Sequence, residues 1–371
     1  MKLLIAGGGT GGHLFPGIAI AQELLSRHPE PRSHPEQSSV ILSPKGEGSH
    51  GVLFVGTKKG MEAMLLPKFN LPLKYILIGG LKGKPWWEKL YALFLIPLSV
   101  IQSFFIVKKM NPDVVLGVGG YASFSVLCAA FLLRKKRAIQ EQNLKPGLTN
   151  RLLSRIAQKI FVSFEESLSY FPSEKCIVTG NPVRKLKKDA YERSDQFTVF
   201  IFGGSQGAHS LNRAVLDALP YLELLKEKIH VIHQTGKSDL KWVASTYFQH
   251  QWKAEVYDFI YDMEKIFSVS DFVICRAGAS SVSELALLGK ACLFVPYPYA
   301  AHNHQEENAR TLEKRGACRI ILDWQLNGHQ LAKEIRYAYD HPRELEEMSK
   351  KIISFSHPYA AQAIVDQLLS L

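Results

Sequence analysis

Three glycine-rich segments carry the clearest chemical signal in this sequence: Gly7-Gly8-Gly9-Thr10-Gly11-Gly12-His13, Gly117-Val118-Gly119-Gly120-Tyr121 and Gly203-Gly204-Ser205-Gln206-Gly207-Ala208. Residues without a Cβ let backbone amides come close to a phosphate, whose charge then sits at the positive end of a helix dipole. Gly7, Gly9 and Gly12 fit G-x-G-x-x-G, and Ser205 adds a hydroxyl able to donate to a phosphate oxygen. A single loop of this kind is compatible with a tight turn. Three of them at strand ends point to two anionic ligands, one for each of two domains facing each other.

A dinucleotide site would also need an Asp or Glu at the end of the second strand to hold the ribose. The second apolar run, Val52 to Val55, leads instead into Gly56-Thr57-Lys58-Lys59, which disfavours NAD. His302-x-His304 lacks a third ligand for a metal. The five cysteines, Cys128, Cys176, Cys275, Cys292 and Cys318, are widely spaced and contain no Cys-x-x-Cys, so they read as reduced, mostly buried thiols.

These loops need strands before them and helices after them. Apolar runs at Leu3 to Ala6, Val52 to Val55, Val114 to Leu116, Ile160 to Ser163, Val199 to Phe202, Ile229 to His233, Phe272 to Cys275 and Cys292 to Val295 predict buried parallel strands alternating with helices. IAGGGTGGHLFPGIAIAQEL from Ile5 is weakly repeated by IFGGSQGAHSLNRAVLDAL from Ile201, so the pattern is one Rossmann-like domain followed by another. The turn-rich Thr179-Gly180-Asn181-Pro182 marks the boundary. Residues 29–51, rich in Pro, Ser, Glu and Gly, read as a surface loop.

A chain of 371 residues with 46% hydrophobic and 21% charged residues suits two globular domains and excludes fibrous, disordered and disulfide-scaffold classes. The net charge of +11 favours an anionic partner. The run Arg134-Lys135-Lys136-Arg137 reads as a solvated face; with no aromatic platform beside it, nucleic acid is not expected. Leu81 to Lys89 interleaves basic residues with Trp86 and Trp87, which suits the headgroup boundary of an anionic bilayer. The apolar Leu90 to Val107 that follows is interrupted by Pro97, Ser99, Gln102 and Ser103, so a buried or membrane-surface helix is expected there rather than a span.

Seven segments in order make the chain resemble the MurG family of bacterial peripheral glycosyltransferases: GGGTGGHLFPGIA from Gly7, GVGGYAS from Gly117, EQNLKPGLTNRLL from Glu141, TGNPVR from Thr179, GGSQGA from Gly203, RAGASSVSEL from Arg276 and HNHQEENA from His302. The resemblance implies the α/β GT-B fold, two Rossmann-like domains facing a cleft. Residues 1–180 with a returning C-terminal helix at about 356–371 would form one domain, and residues 181–355 the other. It implies transfer of N-acetylglucosamine from its UDP donor to undecaprenyl-diphospho-muramoyl pentapeptide, with inversion and without a cofactor. An Asp-x-Asp metal pair is accordingly not seen.

By the same resemblance, Ser205 would meet the diphosphate, Ile260 the uracil and Glu284 the ribose. Arg184, the segment Ala279, Ser280, Ser281, Val282, Ser283 and Glu284, and His304 with Gln305 would complete the donor site. Thr10, Gly11, Gly12 and His13 would serve the acceptor, and Asn143 would reach the donor sugar. The helix after Gly207 would stabilise the departing UDP. His13 is the candidate base, since an imidazole suits proton transfer at neutral pH; the alternative reading is that it binds the lipid diphosphate. The implied partners are the two substrates, an anionic membrane surface, and other cell-wall synthesis or division proteins, at the cytoplasmic face of the inner membrane.

Plainer readings exist for several of these residues. Ser281-x-x-Glu284 is also a capping box, Arg184 opens a run of charges, Gln305 could be an exposed helix-start residue, and Asn143 beside Pro146-Gly147 could close a turn. Two positions depart from the family pattern: Phe124-Ser125 stands where Gly-Pro is usual, and Gln140 where His is usual. The rival functions are a UDP-sugar 2-epimerase or a transferase with another lipid acceptor, and a non-catalytic scaffold.

Overall fold

The computed structural model describes residues 1–9, 11–27, 51–58, 60–79, 86–183, 195–300 and 303–371, with the backbone alone for 86–94. The chain divides into two compact units. Met1–Gln142, Pro146–Arg184 and Tyr359–Leu371 form the first; Asn143–Lys145 and Lys185–Pro358 form the second.

The first unit runs β1 (Lys2–Ala6), α1 (Gly11–Arg27), β2 (Gly51–Gly56), α2 (Glu62–Leu65), β3 (Leu73–Tyr75), α3 (Trp86–Met110), β4 (Val114–Gly117), α4 (Tyr121–Leu132), β5 (Lys136–Glu141), α5 (Leu148–Leu153), β6 (Lys159–Val162) and β7 (Cys176–Val178). The second runs β8 (Phe197–Phe202), α6 (His209–Ala218), β9 (Ile229–Gln234), α7 (Leu240–Gln249), β10 (Ala254–Tyr257), α8 (Met263–Val269), β11 (Phe272–Cys275), α9 (Ala279–Leu288), β12 (Cys292–Phe294), α10 (His304–Glu313), β13 (Arg319–Ile320), α11 (Gly328–Asp340) and α12 (Pro342–Ile353). The last helix, α13 (Ala360–Leu369), belongs to the first unit, where Arg27 of α1 meets Asp366 at 2.5 Å and Lys159 meets Gln367 at 2.7 Å.

Both sheets are parallel. Their orders are β3-β2-β1-β4-β5-β6-β7 and β10-β9-β8-β11-β12-β13, so each reverses direction between its first strand and the fourth. Ligands of open α/β sheets bind beyond the carboxyl ends of the strands at such a reversal. In the first unit that point lies between the loops at Gly7 and Gly117; in the second it lies between the loops at Gly203 and Arg276.

Burial on both faces explains why the strands read as continuous apolar runs. Val199 and Ile201 of β8 pack into a core with α6 and α11, while Phe200 and Phe202 of the same strand pack with Ile266, Phe267 and Val282 on the other face. The rings of Phe200 and Phe202 stack at 4.9 Å. Truncating either to Ala would cost about 3–5 kcal/mol.

The eight anticipated strands all form, and β3, β5, β7, β10 and β13 are additional. The Arg134 to Arg137 run is not simply a solvated face, because Lys136 and Arg137 open β5. The Arg137 guanidinium donates to the Ile156 carbonyl at 2.9 Å, and its partial burial lowers its pKa. Leu90 to Val107 lies within α3, and no helix among the described residues is long and apolar enough to cross a membrane. Its serines are packing groups: Ser99 Oγ lies 2.6 Å from Ser125 Oγ of α4, and Ser103 donates to the Ser99 carbonyl. The cysteines are all free, with Cys275, Cys292 and Cys318 buried and their thiol pKa values pushed up by that burial. Within 29–51 only Gly51, at the start of β2, lies among the described residues.

Candidate active site

In the first unit the glycine loop leaves β1 with Gly7, Gly8 and Gly9 at φ of 155°, 143° and 87°. Its partner is a residue the sequence did not bring forward. Glu62, 1% exposed on α2, accepts the Gly9 amide at 2.8 Å through Oε2 and the Thr57 amide at 2.7 Å through Oε1. A Cβ at Gly8, Gly56 or Gly60 would fall 2.1–2.6 Å from that side chain, so the glycines make room for an internal carboxylate. This corrects the simple phosphate-cradle reading of the first loop, because the Gly9 amide is already spent on an anion.

Gly11, Gly12 and His13 form the first turn of α1 and are half-buried. His13 Nδ1 lies 3.1 Å from the Val118 carbonyl and 2.5 Å from Gln142 Nε2. The ring approaches so closely that a Cβ at Gly119 (φ 100°) would stand 2.4 Å from Nδ1. The second glycine segment therefore seats the histidine. Ser123 of α4 closes the segment by accepting the Gly119 amide at 3.1 Å and donating to the Ala6 carbonyl at 2.6 Å. Thr10 lies outside the described residues.

At the end of β5, Gln140 is wholly buried and donates to Asn181 Oδ1 at 3.2 Å. Glu141 accepts from Asn150 Nδ2 at 2.9 Å. Asn143 groups with the second unit, not the first as its sequence position suggests. There Leu144 donates to the buried Asn308 Oδ1 at 3.2 Å, and Lys145 pairs with Glu307 at 2.7 Å.

In the second unit the Gly207 amide donates to the Gly204 carbonyl at 3.0 Å, which closes a turn with half-exposed Ser205 and exposed Gln206 at its corners. A Cβ at Gly207 would meet the Thr235 carbonyl at 1.9 Å, so glycine is required for this turn to rest on the end of β9. Gln234 ties the turn to the next loop, donating to the Gly204 carbonyl at 3.0 Å and accepting the Ile260 amide at 2.8 Å. The Ile260 side chain is 7% exposed and packs into the core.

The segment 279–284 is the start of α9, with Gly278 at the cap position. The capping-box reading of Ser281 and Glu284 fails, since both lie inside the helix. Glu284 is half-buried there. Ala279 and Val282 turn into the core, Ser283 donates back to the Ala279 carbonyl at 2.9 Å, and the Ser280 hydroxyl is buried with no hydrogen bond among the described residues. Half-buried Gln305, second residue of α10, accepts the Tyr297 amide at 2.9 Å, which leaves its NH2 end as a donor. His304 opens the same helix, while Arg184 and His302 lie outside the described residues.

Arg276 was legible only as part of a motif. It is 7% exposed and joins Asp323 Oδ1 at 2.6 Å, the Val295 carbonyl at 3.0 Å and Ser210 Oγ at 2.8 Å, locking the first turn of α6 to the end of β11. A surface pocket of about 580 Å³ begins at Ile260, Phe259 and Tyr261 but runs toward Thr198 and His230 at the amino ends of β8 and β9. Glu284 and the glycine turn do not line it, so the carboxyl-end loops remain the better site.

Two family models match. The glycosyltransferase family 28 N-terminal domain covers residues 3–38 and 46–162, and the glycosyltransferase family 28 C-terminal domain covers residues 198–364. A relative from Thermodesulfovibrio yellowstonii, named UDP-N-acetylglucosamine–N-acetylmuramyl-(pentapeptide) pyrophosphoryl-undecaprenol N-acetylglucosamine transferase, is 44% identical over 380 aligned positions, covering 100% of this chain and 99% of its own. One of the same name from Myxococcus xanthus is 43% identical, covering 100% and 93%. The chain belongs to the MurG family of glycosyltransferases.

The crystal structure of Acinetobacter baumannii MurG superposes with a TM-score of 0.74 at 29% identity, covering 100% of this chain and 99% of that one. A UDP-GlcNAc 2-epimerase from Neisseria meningitidis reaches 0.68 at 16% identity, covering 100% of each, which shows a shared fold and no more. The two parallel-sheet domains are thus those of a GT-B glycosyltransferase in the MurG family.

Proposed function

We propose that the chain transfers N-acetylglucosamine from UDP-N-acetylglucosamine to the 4-hydroxyl of the muramoyl sugar in undecaprenyl-diphospho-muramoyl pentapeptide, the second lipid-linked step of peptidoglycan synthesis. The observation that carries this is full-length similarity at 43–44% to relatives named for that reaction. The acceptor oxygen attacks the anomeric carbon, its bond to the β-phosphate oxygen breaks, and UDP leaves with the electron pair. One displacement inverts the anomeric centre through an oxocarbenium-like transition state.

The residue roles are those that the family resemblance implies. The turn at Ser205 and the amino end of α6 meet the diphosphate, where the helix dipole stabilises the charge gathering on the leaving group. Glu284 binds the ribose, Ile260 lies against the uracil, and the amino-terminal residues of α9 with Arg184, His304 and Gln305 complete donor binding. Gln305 is suited to donate, because its oxygen is held by the Tyr297 amide. Asn143 contacts the donor sugar. Thr10, Gly11 and Gly12 bind the acceptor, and His13 takes the proton of its 4-hydroxyl.

The acceptor's polyprenyl anchor places the enzyme at the cytoplasmic face of the bacterial membrane as a peripheral protein. The face of α3 carrying Leu98, Ile101 and Phe105, 42%, 54% and 64% exposed, supports this contact, with exposed Lys108 and Lys109 at its carboxyl end for anionic headgroups. Of the Leu81 to Lys89 patch, 81–85 lies outside the described residues and 86–89 is described by its backbone alone. Other cell-wall synthesis and division proteins are a further class of partner.

The role assignments are tested by steady-state kinetics on two variants. His13→Ala should lose about 10²–10⁴ in kcat with donor KM little changed. Glu284→Ala should chiefly raise donor KM. Equal kcat in His13→Ala and wild type would remove the base assignment.

A further inference from the structure

We propose that Gln142, together with the Val118 carbonyl, holds His13 in the tautomer protonated on Nδ1, so that the basic lone pair is on Nε2. The proposal makes Gln142 a positioning residue and rests on the reading of His13 as the base.

Three strand ends of the first unit supply the parts: β1 leads to His13, β4 to Val118 and Gly119, and β5 to Gln142. Val118 O lies 3.1 Å from Nδ1, and a carbonyl only accepts, so the hydrogen between them belongs to Nδ1. Gly119 keeps the ring against that backbone, because any Cβ there would fall 2.4 Å from Nδ1. The second contact at Nδ1 is Nε2 of the Gln142 carboxamide, 1% exposed and 2.5 Å away, so the amide as placed turns its NH2 toward the ring.

A carboxamide can present either its oxygen or its NH2 to the ring by a half-turn of its last torsion. Against an Nδ1–H group the oxygen is the matching end. The far end, Oε1, is buried and makes no hydrogen bond among the described residues, so the half-turn that brings the oxygen to the ring loses no contact there. With its oxygen inward, Gln142 gives Nδ1–H a second acceptor. With its NH2 inward, it would favour the opposite tautomer, in which Nε2 carries the hydrogen and can only donate.

A neutral amide suits this task better than a carboxylate. It orients the ring without the added stabilisation of the imidazolium that a carboxylate would bring. The carboxylates on the surrounding elements are engaged elsewhere, Glu62 by Gly9 and Thr57 and Glu141 by Asn150 and Gly147.

The test uses the full-length enzyme with ¹⁵N-labelled histidine, the His13 signals being assigned with the H13Q variant. Nitrogen chemical shifts at pH 8 report the tautomer, and kcat is followed from pH 5 to pH 9 for wild type, Q142L and Q142E. The expected result is an Nδ1–H tautomer in wild type, a roughly tenfold lower kcat in Q142L at unchanged donor KM, and an acidic limb raised by about one pH unit in Q142E as the new carboxylate favours the imidazolium. An Nε2–H tautomer in wild type, or an acidic limb in Q142E that coincides with wild type, would overturn the proposal. Turnover retained by H13Q would instead remove the base role itself, while the tautomer readout still decides for or against Gln142.

Discussion

Glu62 accepts the Gly9 amide at 2.8 Å while its other oxygen accepts the amide and the hydroxyl of Thr57 at 2.7 and 2.9 Å, so the first glycine loop closes on a carboxylate of the protein itself. The two glycine loops that open the two sheets look alike in sequence yet differ in what they can bind. The loop at Gly203 has no such internal anion among its described contacts and rests on the Thr235 carbonyl and the Gln234 amide.

Glu62→Gln keeps the shape but replaces one oxygen with NH2, so either Gly9 or Thr57 faces a donor instead of an acceptor. A buried amide left unsatisfied costs about 1–3 kcal/mol. Thermal unfolding should shift down by roughly 2–4 °C per kcal/mol. A melting temperature within about 1 °C of wild type would mean that the loop does not depend on this carboxylate.

Gly119→Ala should damage catalysis more than stability, because the added methyl displaces the His13 ring and the φ of 100° disfavours any side chain. A 1 Å displacement at a reacting group can cost about 10²-fold. Gly51→Ala is the control, since a Cβ there meets nothing within 4 Å and φ is not positive. The comparison is kcat against UDP affinity by calorimetry, with affinity expected to stay within about twofold.

His233 gives the second unit a pH dependence of its own. The ring is fully buried between Tyr247 Oη at 3.1 Å and Asn212 Oδ1 at 3.2 Å, and desolvation lowers its pKa from 6.5 to about 3. The folded state therefore holds the ring neutral, while the unfolded chain takes up a proton below pH 6.5. Its contribution to stability is present above pH 6.5 and declines as pH falls toward 3, by at most about 1.4 kcal/mol per pH unit. Urea unfolding at pH 7 and pH 5 should show a larger loss for wild type than for His233→Gln. Parallel pH dependence in the two proteins would contradict the assignment.

Phe105→Glu places a charge on the exposed stripe of α3, where Phe105 is 64% exposed and folding asks little of it. Co-sedimentation with vesicles containing anionic lipid should fall severalfold, with turnover of a short-chain soluble acceptor preserved. Unchanged vesicle binding would move the membrane contact away from this face.

The strands that carry the site loops were readable because burial on both faces requires uninterrupted apolar runs, as at Val199 to Phe202. β10 and β13 are short edge strands and escape that rule, and β7 is a three-residue edge strand. β5 is central yet begins with Lys136-Arg137 and ends with Gln140-Glu141, polar residues whose partners Asn181 and Asn150 lie 9 to 41 positions away. The same reason hides Glu62, Gln142 and Arg276: each acts through a contact that only the folded chain creates. A carboxylate one turn past a strand-end Gly-Thr, and a glutamine beside the expected catalytic motif, are the local traces they leave.

The most direct test of the central claim is to incubate the enzyme with radiolabelled UDP-N-acetylglucosamine and undecaprenyl-diphospho-muramoyl pentapeptide in detergent and identify the labelled product. The account predicts one sugar transferred per UDP released, joined to the muramoyl 4-oxygen with inverted configuration. Label recovered as free sugar or as a 2-epimer, with none in the lipid fraction, would contradict it.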